Sequence, residues 1–294
     1  MSLALLVAWQ AALAVEPVTT GDWRVFCDHR HRCVALSQVP AGGDARDYPL
    51  VLLRRDGPVA AVDLPIPATA AAGTRMTIAI DGRTVAQLVA PGRGAGLSLP
   101  FSGALATALR RGRVLTLAEA GGRVRARTSL TGLSAAMAAL ETSGGTMPAM
   151  VVIDTPPVDP RAPRMPSRKQ LERLVGKTAK GCAAPFARGY RLDAAHTLLE
   201  VVAPCARAVA TRFVLPEKGD AQPVDGNLPA AGAWDPVRRR YAVLLPATPG
   251  RDCGIRRDFV WDGARFRLAE ERVIAECTRA TYEVTTFSAT VRTG

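Results

Sequence analysis

Residues 23–36 read Trp-Arg-Val-Phe-Cys-Asp-His-Arg-His-Arg-Cys-Val-Ala-Leu. Trp23 to Cys27 and Cys33 to Leu36 are β-type runs, and the charged stretch between them has no apolar residue to bury. The pattern predicts a hairpin of two short strands with a tight polar turn. Its chemistry has two readings. Cys27, His29, His31 and Cys33 alternate along one strand face, and two thiolates with two imidazoles suit tetrahedral zinc. One extended segment cannot wrap four ligands around one ion, however, and the spacing matches no familiar zinc motif. A disulfide closing the hairpin accounts for the same cysteines more simply.

Working outward from this hairpin, short β-type runs alternate with turn residues. Leu50-Val-Leu-Leu-Arg-Arg precedes Asp56-Gly57-Pro58, and Met76-Thr-Ile-Ala-Ile precedes Asp81-Gly82. Asp-Gly between strands favours a turn with positive φ, so both read as hairpins or short connections. Val114-Leu-Thr-Leu and Val124-Arg-Ala-Arg form a further hairpin around Gly121-Gly122. Two helices interrupt the strands: one capped by Ser102 with Leu105, Ala108 and Leu109, ending near Gly112, and one over 132–142 with Leu133, Ala136, Met137 and Leu140 at helical spacing. The expectation for this half is β-sandwich-like with two helices.

Residues 147–166 contain six prolines, which donate no ladder bonds and push their predecessors toward extended backbone. A boundary is expected there. Beyond it, Ser167-Arg-Lys-Gln170 fits a capping box, with Leu171, Leu174 and Val175 as one apolar stripe. Strands are expected at 198–202 and 213–215. A loose repeat follows, Trp234-Asp235 through Tyr241 and Trp261-Asp262-Gly263 through Phe266, which predicts two hairpins of one antiparallel sheet. Trp23, Trp234, Trp261 and Phe266 are the expected aromatic anchors. The fold class is therefore α+β, mainly antiparallel β. Its expected parts are a signal peptide at 1–14, a β-rich domain at 15–147, a linker at 148–166 and a second β-rich domain with one or two helices at 167–294.

Leu3 to Leu13 is an apolar run of signal-peptide length, too short to cross a bilayer, and Ala12 and Ala14 suit cleavage before Val15. The six cysteines fall into pairs near in sequence: Cys27 with Cys33, Cys182 with Cys205, Cys253 with Cys277. Six cysteines allow about 15 connectivities, which sequence alone does not choose among. Thiols near in sequence meet first in an oxidising compartment, so local links are the economical expectation, the two longer loops each stabilising the fold by about 3 kcal/mol. The chain has no Cys-x-x-Cys, the strongest redox signature. A periplasmic or secreted location follows, with no transmembrane anchor after cleavage.

Asp252-Cys253-Gly254, then Trp261-Asp262-Gly263, Phe266 and Cys277 resemble the exported bacterial family known as domain of unknown function 1176, as do Trp23-x-Val-x-Cys27-Asp28 and Cys33-x-Ala. Ser129-Leu130-x-Gly132-Leu133-x-Ala135-Ala136 is similar to the invasion-associated locus B family. The resemblance implies an extracytoplasmic location, disulfides and no established activity, so it transfers no catalytic residue. Ala-Arg-Ala-Val after Cys205 departs from the pattern, where small and aromatic residues are expected.

The remaining motifs read as scaffold. Ser134 lies in Gly132-Leu-Ser-Ala-Ala136, one residue short of a nucleophile elbow, and a base would have to come from His29, His31 or His196. Gly176-Lys177-Thr178 lacks the first glycine of a phosphate loop, Leu171 standing in its place. Pro91 to Gly96 is a glycine-rich loop without a following helix, and Asp220, Asp225 and Asn227 lack calcium-loop spacing. No catalytic residue, metal or cofactor is expected.

The net charge is +12, and only four of 38 basic residues are lysines (Lys169, Lys177, Lys180, Lys218). Arginines cluster at 110–113, at Arg123, Arg125 and Arg127, and at 238–240. With 5% aromatic residues and no recognisable module, nucleic acid is not an expected partner. An anionic envelope component or a partner protein is. The expected function is a non-catalytic exported binding protein of the cell envelope. The alternatives are an envelope hydrolase or transferase assembled around His196, Ser134 or the Asp252 to Asp262 region, and a metal-binding protein.

Overall fold

The structure, a computed structural model, describes residues 17–294 apart from 46, 57–58, 66–69, 93–95, 143–149, 158, 176–182, 204–208, 225–227, 230–231, 248–252 and 277–281. Those residues form mostly antiparallel β-structure with three helices. The chain divides into two compact units, Met1–Ala149 with Val273–Phe287, and Met150–Arg272 with Ser288–Gly294.

In the first unit, β1 (Val18–Thr20), β2 (Trp23–Cys27), β3 (Cys33–Ser37), β4 (Leu52–Asp56) and β5 (Val59–Pro65) follow one another as neighbours. A second sheet uses β6 (Arg75–Ile80) and β7 (Arg83–Val89), while β8 (Gly96–Pro100) closes the first sheet beside β5. After α1 (Gly103–Arg111), β9 (Val114–Glu119) and β10 (Val124–Ser129) complete the order β10-β9-β6-β7, and α2 (Leu133–Thr142) follows. Asp81 and Gly82 both take positive φ, 49° and 79°, as the tight β6–β7 turn requires. Ser102 stands at the N-cap of α1 without a side-chain capping bond.

The two sheets and α2 share one core. Trp23, Ala35, Leu53 and Val62 from one sheet meet Met76, Ile78, Leu115 and Leu117 from the other, with Leu133, Ala136 and Leu140 of α2. Burying each of the large side chains stabilises the fold by about 1.5–3 kcal/mol. Trp23 is 1% exposed and donates its Nε1–H to the Ser129 carbonyl at 3.0 Å. Around it, Asp22 N–H donates to the Thr131 carbonyl, and Ser129 Oγ donates to Asp22 Oδ2 at 2.6 Å. Gly132 sits in this junction at φ +85°, where a Cβ would meet the Thr20 carbonyl oxygen at 2.0 Å. The Ser129-Leu130-x-Gly132 motif is thus a docking joint for the N-terminal strands. Val273, Ala275, Tyr282 and Val284 return from the far end of the chain to pack with Phe26, Val34 and Leu36.

In the second unit, β11 (Val152–Thr155) forms within the proline-rich stretch. The capping box then forms as the sequence reads: Ser167 N–H donates to Gln170 Oε1 at 2.8 Å and Gln170 N–H to Ser167 Oγ at 3.3 Å, starting α3 (Arg168–Val175). Next come β12 (Phe186–Arg191), β13 (His196–Ala203), β14 (Val209–Pro216) and β15 (Gln222–Pro223), a four-stranded antiparallel sheet in sequence order. A five-stranded sheet follows along the chain with β16 (Ala233–Asp235), β17 (Arg240–Pro246), β18 (Gly254–Trp261), β19 (Phe266–Glu276) and β20 (Tyr282–Ser288), residues 273–287 of its last two strands belonging to the first unit. The last strand, β21 (Thr290–Thr293), pairs with β11 in parallel.

The expectation of a single antiparallel sheet after residue 167 is therefore corrected. Among the described residues there are two sheets and a parallel strand pair, because Leu198 and Val214 of one sheet need an apolar partner layer. Trp234, Tyr241, Phe259, Trp261 and Phe266 provide it. Tyr241 is fully buried and donates its hydroxyl to the Pro229 carbonyl at 2.7 Å. Arg212 stacks 5.0 Å from its ring centroid and forms an ion pair with Glu200.

Candidate functional site

A cavity of about 230 Å³ opens in the second unit where β13 and β14 meet the turn between β18 and β19. His196 lies at the first residue of β13, opposite Pro216 of β14. The turn before it, Asp193-Ala-Ala-His196, is closed by the Asp193 side chain, whose Oδ1 accepts the Ala195 N–H at 2.7 Å. That carboxylate, 5% exposed, also accepts the Trp261 Nε1–H at 2.6 Å and stands 3.0 Å from His196 Nδ1. Burial raises the Asp193 pKa, but the hydrogen bonds from Trp261, Ala195 and His196 outweigh it and hold the carboxyl below its ordinary value. A carboxylate at Nδ1 fixes the imidazole with its proton there. Nε2 has no hydrogen-bond partner among the described residues, and the side chain is 28% exposed.

The wall beside His196 is aromatic. Trp261 lies 5.2 Å from the His196 ring and 5.3 Å from the Phe266 ring. Val214, Val224 and Leu228 add apolar surface. Between Trp261 and Phe266, Asp262 Oδ1 accepts the N–H groups of Ala264 (2.9 Å) and Arg265 (2.8 Å), with Gly263 at φ +97°. This Asx-type turn places Arg265 at the cavity mouth, exposed and without an ion pair among the described residues. Asp262 Oδ2 is 3.5 Å from Arg267, so that acid already has its partner. Gln222 is the remaining long polar side chain at the cavity.

The chain matches the family described as protein of unknown function (DUF1176) over residues 18–179, more than half its length. It belongs to that family. Among solved structures it is similar to invasion associated protein B from Bartonella henselae, with 20% identity over 43% of this chain and 96% of that one, and a TM-score of 0.34. No curated protein matches it. The DUF1176 match takes in the Trp23, Cys27 and Ser129 motifs, whereas the Asp252 to Cys277 stretch of the resemblance lies outside it.

In this DUF1176 protein, Cys27 and Cys33 stand directly opposite on β2 and β3, with Cα atoms 4.1 Å apart, and are joined by a disulfide. Their sulfurs are bonded to each other, so the zinc reading of Cys27, His29, His31 and Cys33 is withdrawn. His29 instead lies against Phe287 at 4.6 Å, both ring nitrogens buried and unpartnered among the described residues. Burial pushes its pKa down, the Arg30 and Arg32 charges add to this, and Asp28 opposes them. His31 takes φ 59° in the turn. Cys253 is disulfide-bonded, while Cys182, Cys205 and Cys277 lie outside the described residues.

Ser134 donates its hydroxyl to the Arg110 carbonyl at 2.7 Å, a helix-to-helix contact with no base in it. The Gly176 to Thr178 stretch, Asp225 and Asn227 lie outside the described residues. Trp234, Trp261 and Phe266 share one aromatic cluster, and Trp23 anchors the first unit. Sequence reasoning singled out His196, Trp261 and Phe266 but missed Asp193 and Arg265. The signals available were an Asp three residues before a His, and an Arg just after Asp-Gly-Ala.

The other exposed feature is the open face of the β10-β9-β6-β7 sheet. Ile78 and Leu117 pair on its inner side, so the alternate residues Thr77, Thr116 and Arg127 point outward. Arg75, Arg123 and Arg127 are exposed and make no ion pair among the described residues, whereas Arg125 is held by Glu119 at 2.6 Å. Among the described residues no helix is long and apolar enough to cross a membrane, and no group of three His, Cys, Asp or Glu side chains is arranged to hold a metal.

Proposed function

We propose that this protein is an exported, non-catalytic binding protein of the cell envelope, periplasmic or secreted. It would hold an anionic envelope component on the open face of its β10-β9-β6-β7 sheet. The observation that carries this is a set of exposed arginines of that sheet that make no ion pair among the described residues, Arg75 and Arg127 on its outward face and Arg123 in the turn that leads into β10. Export is supported by the Cys27–Cys33 disulfide, by a disulfide-bonded Cys253 and by the apolar run at Leu3 to Leu13. The shared core of the two sheets in the first unit supports reading that unit as sandwich-like.

Near an anionic surface each arginine contributes about 1 kcal/mol. The test is co-sedimentation with phosphatidylglycerol vesicles and with a soluble polyanion at low salt. Replacing Arg75, Arg123 and Arg127 together by Ser should weaken binding at least about tenfold. Unchanged binding by the triple variant, or no binding at all by the parent, would count against the proposal. Capture of a protein in place of either probe would move the reading to a partner protein.

A second reading, a hydrolase or transferase around His196, is favoured by the carboxylate at its Nδ1. Among its described lining residues the cavity offers no hydroxyl or thiol nucleophile, so water would have to attack.

A further inference from the structure

We infer that the cavity at His196 is a binding site for a small organic monoanion, an arene or short branched chain bearing one carboxylate. This site is independent of the sheet face proposed above. An apolar cavity of about 150 Å³ accepts a benzene ring. The cavity here, about 230 Å³, has room for a ring and one small polar substituent, and it is below the range of drug-sized pockets.

Its chemistry is divided between two ends. Trp261 and Phe266 form one apolar wall, and Val214 and Val224 face the cavity from the other sheet. At the mouth stands the Arg265 guanidinium, without an ion pair among the described residues, beside His196, whose proton sits on Nδ1 at Asp193 and whose Nε2 is left as an acceptor. Both lie at the cavity for structural reasons of their own: the Asp262 turn fixes the backbone of Arg265, and Asp193 fixes the imidazole. Two carboxylates beside the cavity are already engaged. Asp193 is buried under three hydrogen bonds, and Asp262 closes its own turn beside Arg267. A guanidinium offers a carboxylate two parallel N–H donors, a geometry no other side chain matches. A ligand carboxylate on Arg265, with its body against the Trp261 and Phe266 wall, matches the cationic mouth and the apolar interior of the cavity.

The test is titration of the full, disulfide-bonded protein with benzoate, benzamide and benzylamine, followed by calorimetry and by tryptophan fluorescence. Benzoate should bind and perturb the emission, and benzamide should bind at least about tenfold more weakly. Benzylamine should not bind. Arg265→Gln, a change at an exposed side chain, should weaken benzoate at least about tenfold and leave benzamide unaffected. Ala264→Leu, which narrows the mouth without altering charge, should weaken both. The Arg75, Arg123 and Arg127 triple variant should bind benzoate like the parent, which separates this inference from the envelope proposal. Equal affinity for benzoate and benzamide, preference for benzylamine, no benzoate binding at millimolar concentration, or an Arg265→Gln variant that binds like the parent would each overturn it.

Discussion

Replacing Asp193 by Asn tests the organisation of the second unit most sharply. The carboxylate accepts Ala195 N–H on Oδ1 at 2.7 Å and Trp261 Nε1–H on Oδ2 at 2.6 Å, with His196 Nδ1 within reach of both oxygens. An Asn side chain has one oxygen for two fixed donors. The imidazole can shift its proton to Nε2 and accept from the new amide, but neither the Trp261 nor the Ala195 N–H can become an acceptor. One of them is left facing an N–H₂ group. Trp261 is 4% exposed, so water cannot replace the lost bond. An unsatisfied buried donor costs about 1–3 kcal/mol, and losing a charged acceptor adds to this. We expect a loss of about 3 kcal/mol. The assay is urea unfolding of the non-reduced protein at pH 7, followed by near-ultraviolet dichroism, where the midpoint should fall with an unchanged slope. Because the Asp193 pKa is lowered in the fold, its contribution is complete above the ordinary value near 3.8 and disappears as pH falls through the lowered one. The variant should therefore lose most of its deficit in strong acid. A destabilisation under about 0.5 kcal/mol at pH 7 would refute the network as a structural element.

Three further outcomes follow from the first unit. Gly132→Ala should destabilise by about 3 kcal/mol, since its Cβ would meet backbone at 2.0 Å and φ is +85°; a thermal scan with an unchanged midpoint would contradict the junction described. His29→Phe should flatten the pH dependence of stability. In the parent the buried imidazole resists protonation, so stability is full above the ordinary value of 6.5 and falls as pH drops below it, and a parent and variant with parallel profiles would contradict this. Replacing Cys27 and Cys33 together by Ala should cost about 2 kcal/mol on the chain-entropy account of a link spanning six positions, read by chemical unfolding against the oxidised parent.

Local chemistry made much of this fold legible. Asp81-Gly82 specified its turn because both residues accept positive φ, and Ser167 with Gln170 specified the start of α3 because each satisfies the other's backbone N–H. Cys27 and Cys33 are joined because a short hairpin sets them opposite each other. Long-range pairings left no such trace. Val152–Thr155 reads as one more extended piece of a proline-rich segment, and only its distant partner Thr290–Thr293 makes it a strand. Tyr282 and Val284 likewise belong to the core of Phe26 and Leu36, far away in sequence. The cavity was half legible: Trp261 and Phe266 stand out as aromatic residues flanking an Asp-Gly turn. Asp193 does not, because its role depends on an indole brought to it by another sheet.

Mass mapping of the unreduced protein recovered from fractionated cells measures directly whether the cross-links form after export. We expect a chain in the periplasmic or extracellular fraction beginning at Val15, with Cys27 joined to Cys33 and no alkylatable thiol at Cys253. A cytoplasmic chain with an intact N-terminus and freely alkylated Cys27, Cys33 and Cys253 would contradict it.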